Sequence, residues 1–199
     1  MSRPAGHRDA GTDVSAGPVL RTERLILRPW RPEDFDAFAA LNADERVAAM
    51  LGGPADRAAS DAIAAHMIEG FRTRGFGYWA VELPGVAPFI GALGLSLPSF
   101  DAPFMPAVEI GWRLAFDHWG KGYASEGARA ALDFGFNQAG LDEIVSFTAR
   151  INTKSRAVME RLGMRTDPKD DFGNVRLAPD HPLHPHVLYR LRRAAWRPR

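Results

Sequence analysis

The sequence predicts an α+β domain, a mixed and mostly antiparallel sheet with flanking helices, and three observations carry that reading. YWAVEL (78–83), PFIGALGLSL (88–97) and PAVEIGWRLAF (106–116) are consecutive runs of strand character joined by short Pro/Gly connections, the pattern of an antiparallel meander. Ahead of them, apolar residues recur at helical spacing. Behind them, helical and strand periods alternate up to a last strand, HVLYRLR (186–192).

In chain order, residues 1–18 are rich in Gly, Ala, Ser, Asp and Pro and show no periodicity, which predicts a disordered tail before a single domain over 19–195. TERLILRPW (22–30) reads as a strand, with Leu25, Leu27 and Pro29 alternating with Arg24, Ile26 and Arg28. RPEDFDAFAALNA (31–43) has Pro32 near a helix start, acids in the first turn, and Phe35, Phe38 and Leu41 at helical spacing. A second helix is expected over 56–73, with Ile63, Met67 and Phe71 at i, i+4 and i+8. After the meander, a helix runs from about Ser125 to Gln138. Its positions 124, 128, 131, 132 and 135 are Ala, Ala, Ala, Leu and Gly, small enough to lie close on a sheet. The opposite face carries Glu126, Arg129, Asp133 and Asn137, with Arg129 and Asp133 spaced for an i,i+4 pair. EIVSFTA (143–149) is a strand, and Asn152 to Leu162 a helix that Gly163 stops.

The totals exclude several functions. With 199 residues, 46% hydrophobic and 25% charged, the chain is long enough for one domain with an ordinary core. A formal net charge of +1 gives no field that would draw nucleic acid or anionic membrane, and neither is expected as a partner. The absence of cysteine removes disulfides, thiolate metal sites and a cysteine nucleophile, and suits a reducing cytoplasm. The first twenty residues lack an apolar run of seven, so no secretory signal is expected, and no 18-residue apolar segment predicts a membrane span.

HWGKGYASEG (118–127) places two glycines just before a helix. Bare backbone at a turn offers successive N–H groups to an anion, and the helix adds unpaired N–H groups and a positive dipole end. A tight turn without a ligand fits the same letters. Two phosphate motifs do not: Lys121 is followed by Gly122 rather than Ser or Thr, and Ser125 stands where the dinucleotide fingerprint needs its third glycine.

The segment EIGWRLAFDHWGKGYASEGARAALDFGF resembles the acetyl-CoA-binding core of the GNAT acetyltransferases, and more narrowly the branch with RimJ and RimL. ARINTKSRAVMERLGMR is similar to that branch's N-x-x-S-x-x-V-x-E-x-L-G-F pattern, and TERLILRPWRPEDFDAF to its opening strand and helix, so the likeness covers most of 20–165 in order. Asp117 departs from the Gln or Arg common three residues before the first glycine, and Met164 from the usual Phe. The resemblance implies a GNAT fold whose two middle strands splay to hold acetyl-CoA. It implies transfer of an acetyl group to a primary amine, of a protein N-terminus or a small molecule, without a metal. A non-catalytic acyl-CoA-binding module of the same fold is the alternative.

Carried onto this chain, the resemblance gives the pyrophosphate to Trp119, Gly120, Lys121, Gly122, Tyr123 and Ala124, and the pantetheine arm to the backbone of Trp112 and Leu114. Glu109 is the expected general base. Strand alternation puts it with Ala107, Gly111 and Arg113, opposite Pro106, Val108, Ile110 and Trp112; a salt bridge to Arg113 is the competing role. Asn152 reads as a helix N-cap and, by the resemblance, as a contact to the cofactor arm. Ser155 shares an inward stripe with Val158, Met159 and Leu162; its hydroxyl either bonds back to the helix or protonates the departing thiolate. Tyr189 is the weaker candidate for that acid, and Tyr123, inside the loop, is poorly placed for it. His181, His184 and His186 in HPLHPH read as a loop rather than a metal site, and RLAPDHPLHPH (176–186) as a lid or a homodimer contact.

Overall fold

The computed structural model describes residues 17–198, so all but the last two residues of the expected N-terminal tail lie outside the described part. Its first element is a hairpin. Leu20–Arg21 (β1) pairs antiparallel with Ile26–Arg28 (β2). Thr22 makes the turn: its N–H donates to Leu25 O at 3.0 Å and its hydroxyl accepts from Leu25 N at 2.9 Å. The strand expected over 22–30 is therefore a turn at its start and a three-residue strand at its centre.

Asp34–Ala43 (α1) begins three residues later than the pattern suggests, because the Asp34 carboxylate is committed elsewhere. It accepts from Arg31 N at 2.7 Å and from two guanidinium nitrogens of Arg28 at 2.7 and 2.9 Å. Arg28, expected on a polar strand face, is buried, because Asp34, Glu82 and the carbonyls of Pro29 and Pro88 satisfy its donors. Asp44 then caps a short helix not expected from sequence, Glu45–Ala48 (α2). Arg57–Arg74 (α3) starts at the Asp56 cap and ends at Gly75, whose φ of 77° is left-handed.

The meander follows as Tyr78–Leu83 (β3), Ala87–Ser96 (β4) and Glu109–Leu114 (β5). The last is shorter than the run 106–116, since residues 97–108 form the connection. Tyr123–Asn137 (α4), Glu143–Ala149 (β6) and Thr153–Arg161 (α5) come next, then Arg165–Thr166 (β7), Phe172–Gly173 (β8) and Pro185–Arg192 (β9). The sheet order is β1-β2-β3-β4-β5-β6-β9-β7, with β8 also on β9, and the β5–β6 contact is parallel.

Two cores sit on the two faces of this sheet. Trp79, Leu93, Leu95 and Ile110 meet α4 and α5 on one face; Tyr78, Ala80 and Ala92 meet Trp30, Phe38 and Ile68 on the other. The small face of α4 lets it lie close: a Cβ on Gly135 would come 2.8 Å from Ile144 Cδ1 and 3.0 Å from Leu95 Cδ1. Its exposed face is not paired as the spacing suggests. Arg129 donates to Arg161 O at 3.2 Å, and Asp133 accepts from Asn137 at 2.8 Å. No helix among the described residues is long and apolar enough to cross a membrane.

Candidate active site

The split between β5 and β6 creates the site. β5 is paired with β4 at six successive positions, Glu109 to Leu114, but with β6 only at Glu109↔Val145. Val145 N donates to Val108 O at 2.8 Å and Ser146 Oγ to Ile110 O at 2.9 Å; beyond that point the strands part. β6 turns its other edge to β9 over all seven residues. A cleft of about 1580 Å³ opens along the unpaired edge of β5 and the start of α4, a volume suited to a long, extended ligand.

The loop entering α4 is built from backbone. Gly120 and Gly122 have φ of 73° and 84°, left-handed values that a side chain disfavours. Gly122 is the N-cap and offers no side chain, so the N–H groups of Tyr123, Ala124 and Ser125 have no partner within the helix. Trp119 anchors the loop, its indole N–H donating to Leu114 O at 2.7 Å. That bond takes one lone pair of the Leu114 carbonyl. The Lys121 side chain is exposed. Asp117 points outward, its side chain 84% exposed and 3.8 Å from Arg46, so it does not oppose an anion in the loop.

Trp112, Leu114, Trp119 to Ala124, Asn152 and Ser155 all line the cleft. Glu109 does not; it stands three residues before Trp112, where the strands begin to part. Burial raises its carboxyl from the usual 4.5 to about 8, and the Arg176 guanidinium offsets only part of that. The salt bridge to Arg113 is absent: Arg113 Nη1 donates instead to Asn42 Oδ1 at 2.5 Å. Between the two lies Tyr78. Its hydroxyl end lies over Gly111, where an added Cβ would collide with it.

Asn152 caps α5, its Oδ1 accepting from Ser155 N at 3.2 Å. Its Nδ2 donates to Thr148 Oγ1 at 2.9 Å and Ser155 Oγ at 3.2 Å, so only a lone pair on Oδ1 is left for a ligand. Ser155, in the first turn of α5, does not bond back to the helix; Asn152 supplies a donor to its oxygen and leaves its own proton to point elsewhere. Tyr189 is buried, donates to Glu160 at 2.9 Å and accepts from Arg156 at 3.3 Å, away from the cleft. The three histidines of HPLHPH are each engaged locally, at Leu183 N, Leu177 O and Asn174. The segment that carries them packs on the β4–β5 connection through Arg176, which bonds Ser99 and lies over Phe100.

Arg24 belongs to the site and was not foreseen. It pairs with Glu126 at 2.6 Å, donates to Lys121 O at 3.0 Å and covers the Tyr123 ring at 4.7 Å, which ties the opening hairpin to the glycine loop. Lys154 lies over Trp119 at 4.9 Å. Nothing local in the sequence marks either residue, since both act across long separations.

Comparison with known proteins follows this geometry. Residues 24–165 match the model of the acetyltransferase (GNAT) domain. The chain is 31% identical over 190 residues to the FsC-acetyl coenzyme A-N(2)-transacetylase of Aspergillus fumigatus, spanning 92% of this chain and 80% of that protein. An acetyltransferase structure from Agrobacterium tumefaciens superposes with a TM-score of 0.71 at 32% identity, over 96% of this chain and 99% of the other. Mycobacterium smegmatis RimJ in complex with CoA-disulfide shares the fold, with a TM-score of 0.68 at 20% identity over 91% and 88% of the two chains.

Proposed function

Because the chain belongs to the GNAT acetyltransferase family, we propose that it moves the acetyl group of acetyl-CoA to a primary amine by direct attack in a ternary complex, as a RimJ/RimL-like enzyme. Its acceptors are protein N-termini or small-molecule amines. The observation that carries this reading is the parting of β5 from β6 immediately beyond a partly buried carboxylate without an ion-pair partner among the described residues.

Acetyl-CoA supplies the thioester carbon that the amine attacks. The residues fit it: an unpaired strand edge suits the amides of a pantetheine arm, and the N–H groups after Gly122 suit a pyrophosphate. Glu109 takes a proton from the incoming ammonium through an intervening water, since it stands behind the cleft wall. A carboxyl with a pKa near 8 is a stronger base than an ordinary one yet still ionised in part at neutral pH. As the C–N bond forms and the C–S bond breaks, the nitrogen loses a proton and the thiolate gains one, and the Ser155 hydroxyl relays it, giving its own proton to the thiolate and taking the nitrogen's in return. Trp119 and Arg24 hold the loop in shape while this occurs.

Steady-state kinetics on Glu109→Gln with an amine panel test the reading. The expected fall in kcat is about 10²- to 10⁴-fold, and the rise in wild-type rate up to about pH 8 flattens in the variant. Stability moves with the same proton. The native state holds it more tightly than the unfolded chain, so wild-type stability declines as pH rises between 4.5 and about 8, by at most about 1.4 kcal/mol per unit, and Glu109→Gln removes that slope. Bound CoA without transfer to any amine would leave a binding module instead.

A further inference from the structure

Resting on the acetyl-transfer reading, we propose that Arg113 selects the acceptor: the enzyme acts on amines that carry a carboxylate, which the Arg113 guanidinium binds. The residue sits on β5 on the same face as Glu109 and lines the cleft. Among the described residues no carboxylate lies within ion-pair distance of it. Arg28, Arg31 and Arg46, by contrast, are paired: Arg28 with Asp34 and Glu82, Arg31 with Glu82, Arg46 with Asp44.

What Arg113 has instead is a neutral mount. Its Nη1 donates to Asn42 Oδ1 at 2.5 Å, and Asn42 Nδ2 donates to Ser60 Oγ at 2.8 Å. Asn42 is 2% exposed and Ser60 0%. The chain Ser60–Asn42–Arg113 fixes the amide so that its oxygen meets the guanidinium. It leaves Nε and Nη2 without an acceptor among the described residues and outside the sealed core. Phe38 lies under the group at 5.8 Å and excludes water from one side.

Burial already works against this charge, holding its pKa below the usual value. A partly desolvated cation held by a neutral amide is stabilised by an incoming anion, and the planar fork of the guanidinium matches a carboxylate. Tyr78 stands between Arg113 and Glu109, so the base and the anion grip are separate points along one strand. An acceptor that reaches both presents its amine at the Glu109 end and its acid at the Arg113 end.

The test compares acid and amide forms of one amine series: glycine, β-alanine and γ-aminobutyrate against their carboxamides. Transfer rates are measured, together with calorimetric binding of the N-acetylated acids and amides in the presence of CoA, a readout that needs no turnover. In wild type the acids are expected to be favoured by ~10- to 100-fold, the range of a charge-assisted hydrogen bond. Arg113→Gln brings the ratio near one, Arg113→Lys restores part of it, and CoA affinity is unchanged in both. A wild-type ratio near one, or a ratio that survives Arg113→Gln, overturns the proposal. So does an equal loss of CoA affinity, which would assign Arg113 to the CoA. If neither acid nor amide is acetylated, the transfer reading fails, while the product-binding ratio still decides the carboxylate preference. Should Arg113→Gln misfold, Asn42→Ala, which frees the guanidinium and keeps its charge, must lower the same ratio.

Discussion

Between Trp119 and Glu126 the cleft is lined by a backbone loop; at Arg113, and behind the cleft at Glu109, the neighbouring region of β5 is organised by side chains. The first region draws its chemistry from eight neighbouring residues, two of them glycines at positive φ. The second needs Ser60 of α3, Asn42 of α1, Tyr78 of β3 and Arg113 of β5 to meet. The contrast teaches that one part of a site can come from a local motif while its neighbour exists only once the sheet and helices have packed.

Substitutions that strike one region and spare the other sharpen the contrast. The largest effect on ligand binding is expected from Gly122→Asp. Its φ of 84° is unfavourable for a side chain, by roughly 1–2 kcal/mol, and the new charge opposes a pyrophosphate. Calorimetric titration should show CoA affinity down by more than about 100-fold, some 2.7 kcal/mol, in a protein that still folds. Binding near the wild-type level would mean that the loop is only a turn.

Asp34→Ala attacks the support of the wall. It leaves Arg28, 4% exposed, without its bidentate partner, and removal of one member of a buried pair costs about 3–5 kcal/mol. Denaturant titration should read that loss, while CoA affinity of the remaining folded protein stays close to wild type. Gly111→Ala acts inside the wall. The new Cβ would collide with the Tyr78 hydroxyl, and overpacking of this kind costs about 1–3 kcal/mol. We expect kcat to drop with CoA binding intact; a parallel loss of both would show that the two regions are coupled.

The smallest effect is expected where the regions meet. Asn152→Ala removes the α5 cap and its bonds to Thr148 and Ser155, worth about 1 kcal/mol by thermal or chemical unfolding. A larger fall in turnover than in stability would assign Asn152 and Ser155 a share in the chemistry.

Much of the fold was legible because periodicity is local. The run 78–83 is β3 without adjustment, the Asp56-capped helix and the Asn152-to-Gly163 helix stand where their punctuation puts them, and the small face of α4 packs as its composition suggests. Misreadings came where a distant partner overrode a local pattern. Strand alternation sets Arg28 opposite Leu25 and Leu27 but says nothing of Asp34 and Glu82, whose carboxylates receive its guanidinium in the interior. Glu109 and Arg113 share a face as read, yet they are not paired, because Tyr78 and Asn42 come between them from other elements. Of the two roles open to the Ser155 hydroxyl, a bond back to its helix is not the one found; Asn152 Nδ2 donates to its oxygen at 3.2 Å.

The glycine loop, the caps, and the order of strands and helices were determined by the sequence itself, because each depends on residues a few positions apart and on the conformations those residues permit. The parting of β5 from β6 beyond Glu109, the burial that raises the pKa of its carboxyl, and the mounting of Arg113 on Asn42 and Ser60 were decided only by tertiary structure. They depend on strand register and on which helix covers which face. Those are set by the summed packing of the whole domain, a quantity that no single stretch of the chain contains.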